Sequence, residues 1–132
     1  MHIKFTSAKE SVMNLSWVTV TVKDLDQSIR FYTDVIGLTL ESRRPAGPEM
    51  ELAFLGDGET KLELICNRAV TEFSYGASIS LGFEVASLDQ TMAALEEKGI
   101  ALHSGPFQPA PQIRFCFITD PNGLKIQLLE HR

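Results

Sequence analysis

Moved 63 residues along itself, this chain falls on its own pattern. Val22, Leu25, Asp26 and Gln27 land on Val85, Leu88, Asp89 and Gln90, and Ser28 lands on Thr91. Gly37 and Gly99, each placed to stop a helix, nearly coincide under the same shift. A repeated segment embedded in a repeated order of elements marks a duplicated supersecondary unit. One such unit leaves apolar surface that it cannot bury alone, so the fold must pack two like modules together.

The elements follow from periodicity. Trp17 to Val22 alternates large apolar and hydroxyl residues and predicts a half-buried strand. Asp24 is placed to cap a helix whose apolar positions are Leu25, Ile29, Phe31, Tyr32 and Val35. Leu38 to Arg43, Met50 to Leu55 and Lys61 to Cys66 read as strands, the last two joined by the turn Gly56-Asp57-Gly58. The order then restarts, with a strand from Ser80 to Val85, a helix from Leu88 to Lys98 and a strand from Ile100 to His103. A Pro-rich loop follows, and Ile113 to Ile118 and Lys125 to Leu129 are the closing strands. The expected architecture is α+β: two βαβββ modules forming a cupped mixed sheet with the helices outside. Residues 1–14 form an extension, about 15–67 the first module, about 68–77 a linker and about 78–130 the second module.

Composition narrows the partners. At 132 residues the chain fits one domain, and 44% hydrophobic with 22% charged residues is ordinary for a globular protein. A formal net charge of −5, with Arg43-Arg44 as the only basic cluster, argues against a nucleic-acid partner. No apolar run approaches a membrane span and no signal-like stretch opens the chain, so a cytoplasmic location and no membrane partner are expected. Cys66 and Cys116, without a CxxC partner, read as buried thiols.

Period-two parity sorts each strand into two faces. Val18, Val20, Val22, Leu62, Leu64, Cys66, Leu81, Phe83, Val85, Ile126 and Leu128 form an apolar, helix-facing set. Trp17, Thr19, Lys61, Glu63, Ser80, Gly82, Glu84, Lys125 and Gln127 form a mixed polar and aromatic set, which suits the wall of a ligand cleft. Lys61, Glu84 and Lys125 read as solvated, whereas Glu63 and Gln127 are flanked by apolar residues. Trp17, with Phe54, Phe115 and Phe117 on neighbouring strands, offers rings for stacking against a flat ligand.

Two segments carry a resemblance. Val22-Lys23-Asp24-Leu25-Asp26-Gln27-Ser28-Ile29-Arg30-Phe31-Tyr32, followed by Val35-Ile36-Gly37-Leu38, resembles the opening of vicinal-oxygen-chelate proteins, the glyoxalase/bleomycin-resistance family. Asp120-Pro121-Asn122-Gly123-Leu124-Lys125-Ile126-Gln127-Leu128-Leu129-Glu130 is similar to the family's closing strand, so that the resemblance spans roughly residues 15 to 130. It implies the glyoxalase/bleomycin-resistance fold, while the family's chemistry ranges over lyases, epimerases, dioxygenases and metal-free drug-binding proteins.

Metal-using members hold the ion at four positions that map here onto Trp17, Glu63, Ser80 and Gln127. Only Glu63 is a good ligand for a divalent ion, because an indole N–H cannot bind a metal and Ser80 and Gln127 are neutral, weak donors. No metal and no cofactor are therefore expected. The resemblance implies a metal-independent homodimer that holds a small, partly aromatic or hydrophobic molecule against Trp17, Thr19, Phe54, Glu63, Ser80, Phe115, Phe117 and Gln127. Two alternatives stay open: a lyase, isomerase or dioxygenase with Glu63 as catalytic base, and a regulatory module with a vestigial cleft.

Overall fold

The computed structural model describes residues 13–132, and most of the extension expected at residues 1–14 lies outside the described residues. The first module runs β1 (Trp17–Thr21), α1 (Leu25–Arg30), β2 (Leu40–Pro45), β3 (Met50–Leu55) and β4 (Lys61–Asn67). The second runs β5 (Ser80–Glu84), α2 (Leu88–Glu97), β6 (Ser104–Ala110), β7 (Ile113–Thr119) and β8 (Lys125–His131). Each module makes one four-stranded mixed sheet, in the orders β1-β4-β3-β2 and β5-β8-β7-β6, with the first strand parallel to the last. The duplication read from the letters is thus a duplication of topology.

The helix starts repeat as well. Asp24 accepts the Gln27 amide at 3.1 Å, and Ser87, its counterpart under the 63-residue shift, accepts the Gln90 amide at 3.2 Å. Each side chain satisfies an amide that the first helical turn leaves without a partner. Helix α1 passes directly into a π-helical turn, Phe31–Val35, closed by the Ile36 amide on the Phe31 carbonyl at 3.2 Å. Gly37, at φ 94°, then ends the element, a backbone angle that side-chain-bearing residues rarely adopt.

The strand expectations fail at one place. Ile100–His103 is connecting chain, and the Pro-rich segment expected to be a loop is strand β6. Proline is excluded from central strands because it cannot donate to a ladder, but β6 is an edge strand bonded only to β7. Its pairing is irregular, with register shifts between Ser104 and Phe107 and between Phe107 and Ala110, so the prolines fall where ladder donors are not required. Smaller differences are at element ends: β2 begins at Leu40 and runs through Pro45, and β8 continues to His131.

The helix-facing sets of both modules merge into one apolar core. Val20, Val22, Leu62 and Leu64 of the first join Ile126, Leu128, Cys116 and Ile118 of the second, with Leu25, Ile29, Tyr32, Leu88 and Leu95 from the helices. Cys66 and Cys116 are free thiols, and burial pushes the Cys116 thiol above its ordinary range. The parity expectation therefore holds, and the mixed faces of both sheets point away from this shared core.

Polar bonds fix the modules to each other. The buried Tyr32 hydroxyl donates to Asp120 Oδ2 at 2.7 Å, across the module boundary. Asp120 Oδ1 accepts the amides of Asn122 at 2.8 Å and Leu124 at 2.9 Å, shaping the β7–β8 turn. Asn122 in turn donates to the buried Ser28 hydroxyl at 3.2 Å and accepts the Lys23 amide at 3.1 Å. Burial, and then the charge and hydrogen bond of Asp120, push the Tyr32 phenol far above its usual range, so it stays a donor. Tyr75 of the linker reaches back to donate to the Thr21 carbonyl, and burial pushes its phenol up to about 12.

At the other end of the second module, Glu130 Oε1 accepts the amide of Leu88 at 2.7 Å, a second cap on α2. That amide, and then Arg132, hold the Glu130 carboxyl below its usual range. The only basic cluster of the sequence is partly neutralised: Arg43 bonds Asp26 at 2.6 Å and grips Glu51 with two nitrogens, at 2.8 and 3.2 Å.

Two outcomes follow for stability. Tyr32→Phe leaves Asp120 Oδ2 without its buried donor and is expected to cost about 1.5–3 kcal/mol, read as a lower chemical-denaturation midpoint at unchanged slope. Glu130 has a depressed folded pKa, so its contribution is present above the unfolded value of about 4.3 and is lost as pH falls through the folded one. Thermal melts from pH 7 to pH 3 should therefore show a shallower acid loss in Glu130→Gln than in the wild type, starting from a lower melting temperature at pH 7.

Candidate functional site

The first sheet gathers its candidate residues in one patch. Register pairs Thr19 with Glu63 and Glu63 with Phe54, so the three side chains form a row across β1, β4 and β3. The Thr19 hydroxyl donates to Glu63 Oε1 at 2.6 Å. Trp17, two residues before Thr19 on the same face, meets Phe54 edge-on at 5.5 Å between ring centroids. Glu63 lies on the strand between these two rings and is buried, 8% exposed, while Trp17 remains 51% exposed. The patch is a carboxyl group set into an aromatic surface whose tryptophan is half-exposed.

The second sheet gathers the rest. Gly82, Gln127 and Phe117 form the equivalent row across β5, β8 and β7. The Gln127 amide oxygen lies 3.6 Å from where a Cβ on Gly82 would stand, so the glutamine lies over bare backbone. Phe117 and Phe115 meet edge-on at 5.7 Å, and Phe115 continues to Phe107 at 5.6 Å. Ser80 begins β5 on the same face, paired with Lys125.

The eight candidate residues thus form two sets, one on each sheet. Among the described residues no hydrogen bond links Trp17, Thr19, Phe54 and Glu63 to Ser80, Phe115, Phe117 and Gln127. Glu63 takes its hydrogen bond from Thr19, not from Trp17, Ser80 or Gln127. The pocket of about 410 Å³ at the module junction is a different place. Its walls include the helix-facing residues Val18, Leu62, Leu81 and Phe83, and Ser80 is the only candidate residue that lines it. Polar groups line it too, namely Asp57, Thr60, Lys61 and Ser80.

The four positions that would hold a divalent ion do not fit one. Glu63 supplies one carboxyl already bonded to a hydroxyl, and Trp17 presents only a donor N–H. Ser80 and Gln127 add neutral oxygens, and among the described residues no three His, Cys, Asp or Glu side chains gather as a ligand set.

Two residues escaped sequence reading. Phe107 sat in a segment read as a loop, yet it is 45% exposed and its ring packs at a tilt against Phe115. Lys125 read as solvated, yet its ammonium stands 4.7 Å over the Phe117 ring. Its register opposite Thr119, on the face shared with Phe117, was the available signal.

Residues 14–128 match the model of the glyoxalase/bleomycin resistance protein/dioxygenase superfamily. A lactoylglutathione lyase of Haemophilus influenzae is 33% identical over 129 residues, covering 91% of this chain and 94% of that protein. Glyoxalase I of Leishmania major superposes with a TM-score of 0.77 at 25% identity, over 90% of this chain and 87% of that one. The antibiotic-binding protein TnmS3 from a Streptomyces superposes with a TM-score of 0.76 at 23% identity, over 92% and 98% of the two chains, and shows likeness of fold. With the module topology, the site faces and these likenesses in agreement, the chain belongs to the glyoxalase/bleomycin resistance protein/dioxygenase superfamily.

Proposed function

We propose that this protein binds a small, partly aromatic or hydrophobic molecule without a metal ion, in a cleft formed by the open faces of its sheets. The observation that carries the reading is the composition of the first-sheet patch. A half-exposed tryptophan stands beside a phenylalanine and a carboxyl satisfied by a threonine, where a metal-dependent relative needs free donor groups. Rings supply contact area at low entropic cost, while Glu63, Gln127 and Ser80 are the few polar groups that fix orientation.

The reading includes a homodimer. The mixed faces turn away from the shared core with Trp17, Gly82 and Glu84 exposed, and a second copy is the simplest wall to close each face into a cleft. No helix among the described residues is long and apolar enough to cross a membrane, and a cytoplasmic location remains part of the proposal.

A second reading is a glyoxalase-like lyase or isomerase, or a ring-cleaving dioxygenase, with Glu63 as catalytic base. It is favoured by the 33% identity to a lactoylglutathione lyase and by the burial of Glu63, on the strand between those that carry Trp17 and Phe54. The third alternative, a regulatory module with a vestigial cleft, has no observation in its favour.

Trp17 is the only tryptophan, so its emission reports the first-sheet patch directly. Titration with a panel of uncharged planar aromatic compounds is expected to quench or shift that emission saturably. Trp17→Ala should weaken the same compounds by about tenfold in calorimetry. A flat Trp17 response across the whole panel would sink the binding reading. The two readings separate on the hemithioacetal of methylglyoxal and glutathione with added Ni²⁺ or Zn²⁺: no turnover is expected. Turnover abolished by Glu63→Gln would establish the lyase instead.

A further inference from the structure

We propose that the open face of the second sheet selects a planar anion, an aromatic carboxylate or phenolate, with its ring against Phe115 and Phe117 and its charge at Lys125. This rests on the small-molecule binding proposed above and names the chemistry of its ligand.

The face is built from one apolar region and one cation. Phe107, Phe115 and Phe117 form a chain of rings along β6 and β7, at 5.6 and 5.7 Å between centroids, and Phe107 is 45% exposed. Three linked phenylalanines on an open sheet face are more apolar surface than a solvated sheet ordinarily carries. At one end of the chain stands the Lys125 ammonium, 4.7 Å over the Phe117 ring. Among the described residues Lys125 enters no ion pair: the other lysine of the mixed faces, Lys61, is held by Glu41 at 2.7 Å. The only carboxyl group on this face of the four strands is Glu84, at the opposite end of β5, where it lies 3.7 Å from His131. Cation and carboxyl are thus separated along the face, and the aromatic region beside the cation carries no negative charge.

Neighbouring groups complete the selection. Ser80 is the register partner of Lys125, and Gln127, two residues along β8, lies over the bare backbone of Gly82. A hydroxyl and an amide therefore flank the ammonium, each able to donate to a carboxylate or phenolate oxygen. A planar anion that covers Phe117 meets Lys125 in an environment drier than bulk water, where a charge-assisted hydrogen bond is strongest. An uncharged ligand of the same shape covers the rings but leaves the ammonium desolvated without an anion, which costs affinity.

The test uses full-length protein, with 2-naphthoate and its uncharged isostere 2-naphthamide as calorimetric probes. Naphthoate is expected to bind about tenfold or more tightly than the amide, and its affinity should fall with added salt. Lys125→Met keeps the aliphatic stem and should erase the preference by weakening naphthoate alone, whereas Lys125→Arg should retain it. Phe117→Leu should weaken both probes. Equal affinity of the two probes in the wild type, or a preference that survives Lys125→Met, would overturn the anion assignment and leave small-molecule binding standing. Absence of binding by either probe would also overturn it. The Trp17 response to uncharged aromatic compounds then decides separately whether the wider reading falls too.

Discussion

The relation between the two modules hangs on one carboxyl group. Asp120 spends one oxygen on the amides of Asn122 and Leu124, which fold the β7–β8 turn, and the other on the Tyr32 hydroxyl of the π-helical turn that follows α1. Asn122, held in place by that turn, adds two further bonds to the first module, through Ser28 and Lys23. Three of these groups, Tyr32, Ser28 and Asp120, are buried, so each is costly to leave without a partner and the arrangement has little freedom. Hydrophobic contact alone lets two duplicated modules slide; directional bonds inside the contact set one geometry. The segment Asp120–Gly123 that helps identify the family in sequence thus adds directional bonds between the modules to their shared apolar core.

That geometry decides where chemistry is possible. With helix-side residues committed to a common core, the mixed faces are turned away from it, and Trp17, Gly82 and Glu84 on them are exposed. Each face keeps a pattern of rings around a few polar groups. On the first sheet the polar group is a carboxyl, satisfied locally by Thr19. On the second it is an ammonium that has no carboxyl partner among the described residues, accompanied by Gln127 and Ser80. The family's fold is retained, and of Trp17, Glu63, Ser80 and Gln127 only Glu63 is a strong donor for a divalent ion, which is why the proposed function rests on shape, stacking and hydrogen bonding.

Much of this was legible in the sequence because strand parity and helical spacing are local properties. Parity alone placed Val18, Val20, Leu62 and Ile126 inward and Trp17, Thr19, Glu63 and Gln127 outward, as found. Strand β6 was not legible, because prolines normally break a ladder and only the position at a sheet edge excuses them. With β6 read as a loop, Phe107 could not be assigned to the aromatic chain. The Tyr32–Asp120 bond joins residues 88 apart in sequence and has no local signature. The Thr19–Glu63 bond was within reach, since both lie on the outward face of paired strands, but it needs the register of a parallel pair, which spacing does not reveal.

The central claim, a family fold that works without its metal, is tested most directly by the metal content of the purified full-length protein after exposure to Ni²⁺, Zn²⁺ and Fe²⁺ and removal of free ion. Substoichiometric metal, unchanged in Glu63→Gln, is the expected result. One tightly held equivalent per chain that disappears in Glu63→Gln would contradict it and restore a metal centre to this site.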